Sequence, residues 1–454
     1  MADNTLFRDL GDGLVLRQAT AADVEAVASF NACVHSDVGW DKPDVHVAAW
    51  VRDLMTQPHP TFKVGDFLVV EDTANGAIVS STNLISQTWS YGGIELGVGR
   101  PELVGTHPDY RRRGLVRAQF EVLHQWSAER DHQLQAITGI PWYYRQFGYE
   151  MTMNLHGGLR GPVSSVPALK DGQEEAYRIR RAAAGDLAFI RQVDGYAQQR
   201  YLVHCVRDEI LWRYELEGRS PESAGALRFE VIETAAGEPV GFIAYMATRW
   251  ANGVYLRQYE LAPGVSWWAV TPAVLRHVKK AGAEIPLYME ENGSPPLELI
   301  GLSLGPEHPV YPIVADWLPW VSHPYAWYIR VPDVPGFLTT IVPVLERRLA
   351  DSVLVGHTGS LGLDFYRGGA RVMFEGGRIV DIVPWPWDQG GDSDRRAGGA
   401  FARFPDLTFL HVLFGYRSFA ELERAYADCG GNLEGRLLVS VLFPKQDSAI
   451  WPVS

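Results

Sequence analysis

Cysteine is scarce in this chain and forms no pattern. The three cysteines, Cys33, Cys205 and Cys429, are odd in number and far apart, and no two of them form a C-x-x-C pair. This spacing excludes a disulfide framework and gives no indication of a zinc site. The sequence therefore predicts a protein of the cytoplasm, a reducing compartment, that binds no metal.

Positive charge is also in deficit. The 454 residues include 41 Lys and Arg against 54 Asp and Glu, a formal net charge of −13. The summed field of such a chain repels phosphate backbones, which argues against a nucleic-acid partner. The first residues, MADNTLFRDLGDG, have neither the basic nor the apolar part of a signal peptide, and no apolar run is long enough to cross a bilayer. We therefore expect no membrane span.

Apolar residues are plentiful, at 46% of the chain, and they recur in a weak internal repeat. The segment LVLRQATAADVEAV is echoed by YRIRRAAAGDLAFI, so that Arg17 matches Arg180 and Asp23 matches Asp186. Each copy is typical of a strand, a turn and an amphipathic helix. Because a solenoid has far shorter repeats, this spacing favours a duplicated domain. Chance similarity between short apolar strands is the alternative.

Two stretches rich in proline and glycine, GPVSSVPALKDGQ and RVPDVPGF, predict domain boundaries. They divide the chain into domains 1–160, 174–328 and 332–454. In the third domain the pairs Gly368-Gly369 and Gly376-Gly377 lie between apolar alternations, which predicts hairpins. Helical patterns flank these strands, so we expect an α+β domain there.

The stretch GTHPDYRRRGLVRA places three consecutive arginines next to Gly114. The pattern predicts a strand ending near Thr106, a tight loop, and a helix beginning close to Gly114. Free backbone N–H groups and the positive end of the helix dipole then meet at one point, which is a ready anion site. A solvated helix start is the alternative reading of the arginine run.

Two motifs in this region resemble those of a known enzyme family. The turn Arg111-x-x-Gly114-x-Val116 and the later Tyr144-x-x-x-Gly148-Tyr149 are similar to the pyrophosphate loop and the tyrosine segment of the GNAT superfamily of N-acetyltransferases. Val116 stands where that family has a smaller residue. The layout of the whole chain resembles the Eis (enhanced intracellular survival) family. This resemblance implies two GNAT-like domains, each a mixed twisted sheet flanked by helices, followed by an α+β domain like the sterol carrier proteins.

The resemblance also implies roles for individual residues. Backbone groups of Val104, Gly105 and Thr106 would hold the pantetheine arm of acetyl-CoA, the co-substrate. The pyrophosphate would be held by a run of residues at the helix start: Arg112, Arg113, Gly114, Leu115, Val116 and Arg117. Gly139 and Ile140, at the end of the next strand, would flank the acyl group. Tyr144 would be the general acid, and the C-terminal carboxylate of Ser454 a base.

Strand alternation adds Glu102 as a second candidate base, because it precedes Val104 by two residues and so shares its face. His35, Asp37, Trp40 and Trp89 are candidates for the acceptor pocket, although such side chains more often serve packing. Tyr144 itself lies among aromatic residues that are equally compatible with an ordinary core.

The predicted function is acetyl-CoA-dependent transfer of an acetyl group to a primary amine of a small-molecule or peptidic acceptor. A coenzyme A or lipid-binding module without catalysis is the alternative. The second copy, YELAPGVSWWAVTPAVLRHV, has no Arg-x-x-Gly turn, so we expect one active site per chain. The Eis resemblance further implies a homo-oligomer.

Overall fold

A computed structural model describes residues 7–288, 295–305, 307–385 and 399–451. These residues form a mixed α/β fold with three sheets, which confirms the predicted fold class. The strands in chain order are β1 (Phe7–Gly11), β2 (Leu14–Gln18), β3 (Phe67–Asp72), β4 (Ala77–Tyr91), β5 (Ile94–Thr106), β6 (Leu134–Ile137), β7 (Glu150–Leu155), β8 (Gly158–Pro162), β9 (Tyr177–Arg181), β10 (Val203–Cys205), β11 (Leu227–Thr234), β12 (Pro239–Met246), β13 (Gly253–Leu261), β14 (Leu299–Leu302), β15 (Trp320–Ser322), β16 (Tyr325–Arg330), β17 (Gly359–Asp364), β18 (Gly369–Glu375), β19 (Arg378–Pro384), β20 (Ala400–Arg403) and β21 (Gly430–Gly431).

The described helices are α1 (Val24–Val34), α2 (Val45–Thr56), α3 (Leu115–Glu129), α4 (Leu187–Gln198), α5 (Glu209–Arg213), α6 (Trp267–Glu284), α7 (Tyr311–Val314), α8 (Val334–Thr340), α9 (Val342–Ala350), α10 (Phe409–Leu413), α11 (Phe419–Ala425) and α12 (Leu433–Leu442). None of them is both long and apolar enough to cross a membrane.

The first sheet has the strand order β1-β2-β3-β4-β5-β6-β16-β7, and β10 pairs with β4 outside this path. The hairpin between β3 and β4 turns at Asn75 and Gly76, as the sequence predicts: Gly76 has a φ of +73°, and the Asn75 side chain accepts a hydrogen bond of 2.9 Å from the Ala77 amide. Strands β5 and β6 are parallel neighbours, but they pair only from Val98 to Gly99 of β5. Beyond Gly99 the two strands diverge and leave an opening in the sheet.

The second sheet has the order β15-β8-β14-β13-β12-β11-β9. It repeats the central feature of the first, because β13 and β14 are parallel neighbours that pair only as far as Leu256 and Leu302. The two sheets also exchange strands. Strand β8 leaves the first region to pair in the second sheet, and β16 returns to the first sheet between β6 and β7. The predicted domain limits at 160 and 328 thus fall inside exchanged strands, and the division into domains stays a prediction.

The matched arginine and aspartate residues of the sequence repeat make the same contacts in both sheets. Arg17 binds Asp23 through two hydrogen bonds of 2.9 and 2.8 Å, and Arg180 binds Asp186 through two of 2.8 Å. Each arginine also donates to the backbone carbonyl of the residue that follows it. Each aspartate lies in a 3₁₀ turn that leads into a helix, α1 or α4. The paired residues therefore fasten the same strand-to-helix turn twice.

The third sheet, in the order β19-β18-β17-β20-β21, begins at Gly359 and packs against helices α8, α9 and α12. Its hairpins turn at Gly368 and at Gly376-Gly377, where the sequence predicts them. Its core is continuous with that of the first sheet, because Phe337 packs on Tyr91 with ring centroids 5.8 Å apart. The tip of β4 is thereby anchored in the C-terminal part of the chain.

Candidate active site

A cavity of about 920 Å³ opens where β5 and β6 diverge. It is bounded by the end of β5, the loop that leads into α3, the end of β6 and the aromatic turn that follows β6. Every cofactor-binding residue predicted from the sequence borders this cavity, together with Tyr144: Val104, Gly105, Thr106, Arg112, Arg113, Gly114, Leu115, Val116, Arg117, Gly139 and Ile140. The remaining predicted residue, Ser454, lies outside the described part of the chain.

A bulge shapes the β5 wall of the cavity. Ser81 of β4 pairs with Gly105 and Asn83 pairs with Glu102, so β5 carries one extra residue between them. Leu103 takes up the extra length with a φ of +52°. A bulge leaves backbone groups outside the ladder of the sheet and re-aims the strand. The bulge therefore redirects the end of β5, where Val104 borders the cavity.

Gly105 is required by the packing of this wall. A Cβ atom at Gly105 would lie 2.5 Å from Cγ1 of Val34 in α1. Any larger residue would push the strand away from the helix, and the cavity wall would move with it. The glycine thus serves helix packing as well as the cavity.

The other end of the cavity is the start of α3. Gly114 is the N-cap residue, with a φ of +75° and no side chain to satisfy the first amides of the helix. Those amides have no intrahelical acceptor, and the helix dipole adds positive potential at the same point. Apart from Gly114 and its two chain neighbours, no atom of the described residues lies within 4 Å of a Cβ position at Gly114. Gly114 and the first amides of α3 therefore form an open phosphate cradle, a place that suits a phosphate group.

The arginines beside this cradle contact neutral groups. Arg111 donates to the Thr106 carbonyl at 3.4 Å, Arg117 donates to the Gln146 side chain at 3.0 Å, and Arg113 lies over the ring of Tyr110 at 4.9 Å. Within the described residues, none of these three guanidinium groups forms an ion pair with a carboxylate. The arginine run therefore forms an exposed, positively charged rim beside Gly114 and the start of α3.

Val116 fits this site in spite of its size. Its side chain is half-buried and packs against a small aromatic core that includes Phe120, Tyr144 and Tyr149. Helix α3 therefore directs this side chain toward protein, while its first amides face the cavity. The larger residue at this position fills space beside the tyrosine and leaves the phosphate cradle open.

Tyr144 lies in a 3₁₀ turn, Tyr143–Phe147, and is only 3% exposed. Its ring stacks on Phe120 with centroids 5.9 Å apart and lies 6.1 Å from the ring of Tyr328. Burial raises the pKa of its hydroxyl well above 10, and the negative charge of Glu102 raises it further. Tyr144 is therefore a protonated donor at every physiological pH.

The loop after β6 differs in one respect from its prediction. The strand ends at Ile137, so Gly139 and Ile140 lie beyond it, and Gly139 has a φ of +123°. Two tyrosines of β16 hold this loop. The hydroxyl of Tyr325 donates to the carbonyl of Gly139, and the hydroxyl of Tyr328 accepts from the amide of Trp142 at 3.0 Å. Neither tyrosine belongs to a motif, so nothing in the sequence marks them as parts of the site.

Glu102 borders the cavity with its carboxylate bound to the guanidinium of Arg100. Arg100 is almost fully buried and lies over the ring of Trp327 at 5.1 Å. The bulge at Leu103 breaks the alternation on which the prediction for Glu102 rested. Glu102 nevertheless faces the cavity, and it does so as one half of an ion pair.

The side of the cavity away from α3 is bordered by residues of α1 and α2. His35, Asp37 and Trp50 lie there. The His35 ring bonds the carbonyl of Leu103, and burial lowers its pKa, so the ring is neutral. Of the other acceptor-pocket candidates, Trp40 packs on His107 with centroids 4.4 Å apart, outside the cavity lining. Trp89 is fully buried against Trp327 and belongs to the core, so of its two possible roles the structure supports packing.

Within the described ranges, no group of three or more His, Cys, Asp or Glu residues is placed to hold a metal ion.

Comparison with known proteins agrees with this geometry. Residues 16–152 match the family model of the acetyltransferase (GNAT) domain. The chain therefore contains a GNAT acetyltransferase domain, and the divergent strands, the α3 cradle and Tyr144 lie within it. No curated protein matches the chain by sequence.

Several solved structures share the fold over nearly the whole chain. A GCN5-related N-acetyltransferase from Kribbella flavida is 17% identical, with 99% of both chains covered and a TM-score of 0.62. A probable N-acyltransferase from Enterococcus faecalis V583 is 13% identical, with 99% of this chain and 100% of the other covered and a TM-score of 0.66. Eis1 from Mycobacterium abscessus is 14% identical, with 96% and 99% covered and a TM-score of 0.55. At these identities the likeness establishes the fold alone.

Proposed function

We propose that this chain transfers the acetyl group of acetyl-CoA to a primary amine of a small-molecule or peptidic acceptor. The main observation behind this proposal is that one cavity contains both a place for the phosphates of the co-substrate and a proton donor for the leaving thiolate. An open phosphate cradle at Gly114 lies at one end, and the protonated hydroxyl of buried Tyr144 lies toward the other. The match of residues 16–152 to the GNAT acetyltransferase domain supports this proposal.

The binding roles follow from the cavity walls. Amides of Gly114, Leu115 and Val116 hold the pyrophosphate of the co-substrate, and Arg112, Arg113 and Arg117 add charge-assisted hydrogen bonds. On the opposite wall, the bulged strand presents backbone groups of Val104, Gly105 and Thr106 to the pantetheine arm. Gly139 and Ile140 flank the acyl end of the cavity.

The chemical step needs a neutral amine, a polarised thioester carbonyl and a proton for the leaving thiolate. The amine nitrogen forms a bond to the carbonyl carbon, the carbon–sulfur bond breaks, and Tyr144 gives its hydroxyl proton to the sulfur. A tyrosine suits this role because it donates a proton without carrying charge at neutral pH. The amine loses one proton to a base, and solvent returns one to Tyr144.

Two carboxylates are candidates for that base, and a water chain is the third possibility. Glu102 borders the cavity, but its carboxylate is already bound to the guanidinium of Arg100. The C-terminal carboxylate of Ser454, implied by the Eis resemblance, lies outside the described residues.

One active site per chain follows from the turn before α6. In the second sheet the turn between β13 and α6 carries Gly264 and Ser266 and has no arginine. Ser266 also caps the first turn of α6 by accepting from the Ala269 amide at 3.3 Å. Since this side chain takes up a helix amide that a phosphate would need, the second sheet offers a poorer cradle.

The direct test is the release of free thiol from acetyl-CoA by the purified chain with a panel of primary amines. We expect turnover with at least one amine, lost or strongly lowered in Tyr144→Phe. Tight acetyl-CoA binding with no turnover for any amine would instead support the non-catalytic coenzyme A-binding module.

The cytoplasmic location and the homo-oligomer also belong to this proposal. Light scattering of the purified protein would measure the mass of the particle. A monomer of 50.5 kDa would count against the assembly implied by the Eis resemblance.

A further inference from the structure

A second, smaller cavity lies in the second sheet at the point where β13 and β14 diverge. Its volume is about 90 Å³. One wall is formed by Arg257–Glu260 of β13 and another by Ser303–Gly305 beyond β14. It therefore occupies the position in the second sheet that the candidate active site occupies in the first. Its volume is about a tenth of that of the candidate active site, and it has no arginine-rich turn. We therefore expect it to bind a different ligand from coenzyme A.

A bulge again directs a side chain to this point. Ala244 of β12 pairs with Gln258 and Tyr245 pairs with Leu256, which leaves Arg257 as the extra residue of β13. One guanidinium nitrogen of Arg257, Nη1, donates to the hydroxyl of Ser303 at 3.1 Å, and Nε is buried without a partner. Within the described residues, Arg257 has no carboxylate in ion-pair contact.

The neighbouring side chains add further unpaired polar atoms. Gln258 is 9% exposed, and neither its side-chain nitrogen, a donor, nor its side-chain oxygen, an acceptor, has a hydrogen-bond partner among the described residues. Nδ1 of His204 is buried without a partner as well, and in a neutral ring it donates in one tautomer and accepts in the other. Buried polar atoms are rarely left unpaired, because the hydration they lose is not replaced. The unpaired nitrogens of Arg257, Gln258 and His204 around one cavity therefore indicate a polar ligand that accepts hydrogen bonds.

The charges around the cavity leave a positive excess. Asp194 is paired with Arg207 at 2.6 Å. Glu260 is paired with Arg200, also at 2.6 Å, and Nε2 of His308 lies 3.5 Å from the same carboxylate. Each of these two carboxylates thus has an arginine as its partner, whereas among the described residues Arg257 has no carboxylate partner.

The other two histidines at the cavity do not change this balance. Burial lowers the pKa of His156 to about 3 and that of His204 to about 4, so both rings are neutral at pH 7. One uncompensated positive charge therefore remains at Arg257, which fits a ligand with one negative charge.

The end of the described chain forms another side of the cavity. Residues 448–451 line it, and the amide of Ala449 donates to the carbonyl of Val203 at 3.0 Å. The rings of Trp451 and His156 lie 5.9 Å apart. His156 has a φ of +60°, a conformation that costs energy for a residue with a side chain and is frequent at binding sites. Residues 448–451, the C-terminal segment, therefore border the cavity.

We infer that this cavity binds one small oxyanion with a single negative charge, such as a short carboxylate or dihydrogen phosphate, through Arg257, Gln258 and His204. The volume of about 90 Å³ favours a ligand of a few heavy atoms over a nucleotide or coenzyme A. The bound oxyanion would compensate the charge of Arg257 and fasten the C-terminal segment over the second sheet.

The test measures thermal unfolding of the full chain in acetate, phosphate, sulfate or chloride at one ionic strength. We expect Tm to rise with the logarithm of acetate or phosphate concentration. With phosphate, the rise at pH 6 should exceed that at pH 8, where the dianion prevails. Calorimetric titration should give one site per chain. A Tm that is the same in all four salts would mean that the cavity holds only water, and the inference would be wrong.

Variants locate the binding. Arg257→Met and Gln258→Leu should each weaken acetate or phosphate binding at least tenfold, whereas Arg160→Met, an exposed arginine of the same sheet, should not. Without added anion, Arg257→Met should be as stable as the unaltered protein or more so, because it removes an unpaired buried charge. If Arg257→Met fails to fold, Gln258→Leu and the salt series on the unaltered chain still show whether the cavity binds the anion. Unchanged binding in Gln258→Leu or Arg257→Met would overturn the site.

Hydrogen exchange provides a second readout that is independent of acetyl transfer. Amides of residues 448–451 should exchange more slowly when acetate or phosphate is bound. Equal exchange with and without anion would contradict the role of the C-terminal segment. Neither result depends on whether the chain turns over acetyl-CoA.

Discussion

The hydroxyl of Tyr328 accepts a hydrogen bond of 3.0 Å from the backbone amide of Trp142, 186 residues earlier in the chain. Tyr328 belongs to β16, which returns from beyond the second sheet to lie between β6 and β7. Its neighbour Tyr325 bonds the Gly139 carbonyl in the same loop. The geometry of the candidate active site thus depends on a strand that enters it only after the second sheet is complete.

Tyr328→Phe tests this dependence. The change removes one hydrogen bond to the loop that precedes Tyr144 and keeps the aromatic ring, so we expect a loss of stability of about 1 kcal/mol. The loop also positions the acyl end of the cavity, and a misplaced group lowers rate more than binding. Steady-state kinetics should therefore show a fall in kcat of roughly tenfold with little change in the KM for acetyl-CoA. An unaltered kcat would remove the positioning role of β16.

Tyr144→Phe tests the general acid. Loss of a positioned proton donor typically lowers rate by about 100-fold or more, and the ring that packs on Phe120 is kept. We expect kcat to fall by that factor while the KM for acetyl-CoA stays within about twofold.

The matched control for that variant is Tyr149→Phe. Tyr149 lies in the same aromatic core, is fully buried and bonds His124 at 3.0 Å, but it does not border the cavity. It should lose stability and keep its kcat. Since the pKa of the Tyr144 hydroxyl is raised above 10, the pH profile of the unaltered enzyme should show no alkaline decline from this group below pH 10. Equal losses of kcat in both variants would leave the acid role without support.

Gly114→Ala tests the phosphate cradle. Space for a Cβ is open, but a φ of +75° costs an alanine roughly 1 to 2 kcal/mol. The added methyl group also enters the space that the pyrophosphate would use, so the KM for acetyl-CoA should rise at least tenfold. Gly264→Ala is the control, because Gly264 precedes α6 in the second sheet with a φ of +84° and equally open space. It should cost similar stability in thermal unfolding and leave KM unchanged.

The parts of this site that could be predicted from sequence are those formed by short, continuous segments. The turn before α3 is one such segment: Gly114 needs a positive φ, and the arginines beside it lie on one loop. Tyr144 was identified by its spacing to Gly148, which itself has a φ of +84°. Backbone requirements of this kind depend on a few adjacent residues, and in the structure both Gly114 and Gly148 have a positive φ.

The parts that could not be predicted depend on pairing between distant strands. Nothing near Tyr325 or Tyr328 shows that β16 inserts between β6 and β7. The stretch 158–162 is rich in glycine and looks like the start of a linker, yet it forms β8, since Gly161 accepts the close approach of Trp317 and Leu318 where a Cβ would clash. The sequence also left Trp89 open between an acceptor pocket and packing, because its burial against Trp327 is a contact between distant strands.

The ion pair between Arg17 and Asp23 predicts a pH-dependent contribution to stability. Hydrogen bonds from Arg17 lower the pKa of Asp23 from 3.8 to about 2. The unfolded chain therefore binds the proton more tightly, and the stabilisation is present above pH 4 and lost as pH falls from about 4 to about 2. Allowing for solvent screening, it amounts to about 1 kcal/mol. Urea unfolding of Asp23→Asn should show this loss at pH 7 and a shrinking difference from the unaltered protein below pH 4.

The second sheet supplies the matched variant, Asp186→Asn. Its partner Arg180 is 43% exposed, against 20% for Arg17, so solvent weakens the same contact. Asp186→Asn should therefore cost less than Asp23→Asn at pH 7. The reverse order would contradict the reading of these two ion pairs as copies that differ in exposure.

Removal of residues 452–454 and Glu102→Gln together identify the proton acceptor. Because the Glu102 carboxylate is already bound to the guanidinium of Arg100, we expect Glu102→Gln to lower kcat by less than tenfold. Truncation removes the carboxylate of Ser454 from its place and should lower kcat by about 100-fold, whereas Ser454→Ala keeps the carboxylate and should keep the activity. These kcat values would be measured at saturating acetyl-CoA between pH 6 and pH 9. A 100-fold loss in Glu102→Gln with full activity after truncation would reverse the assignment, and small effects in both would leave water as the base.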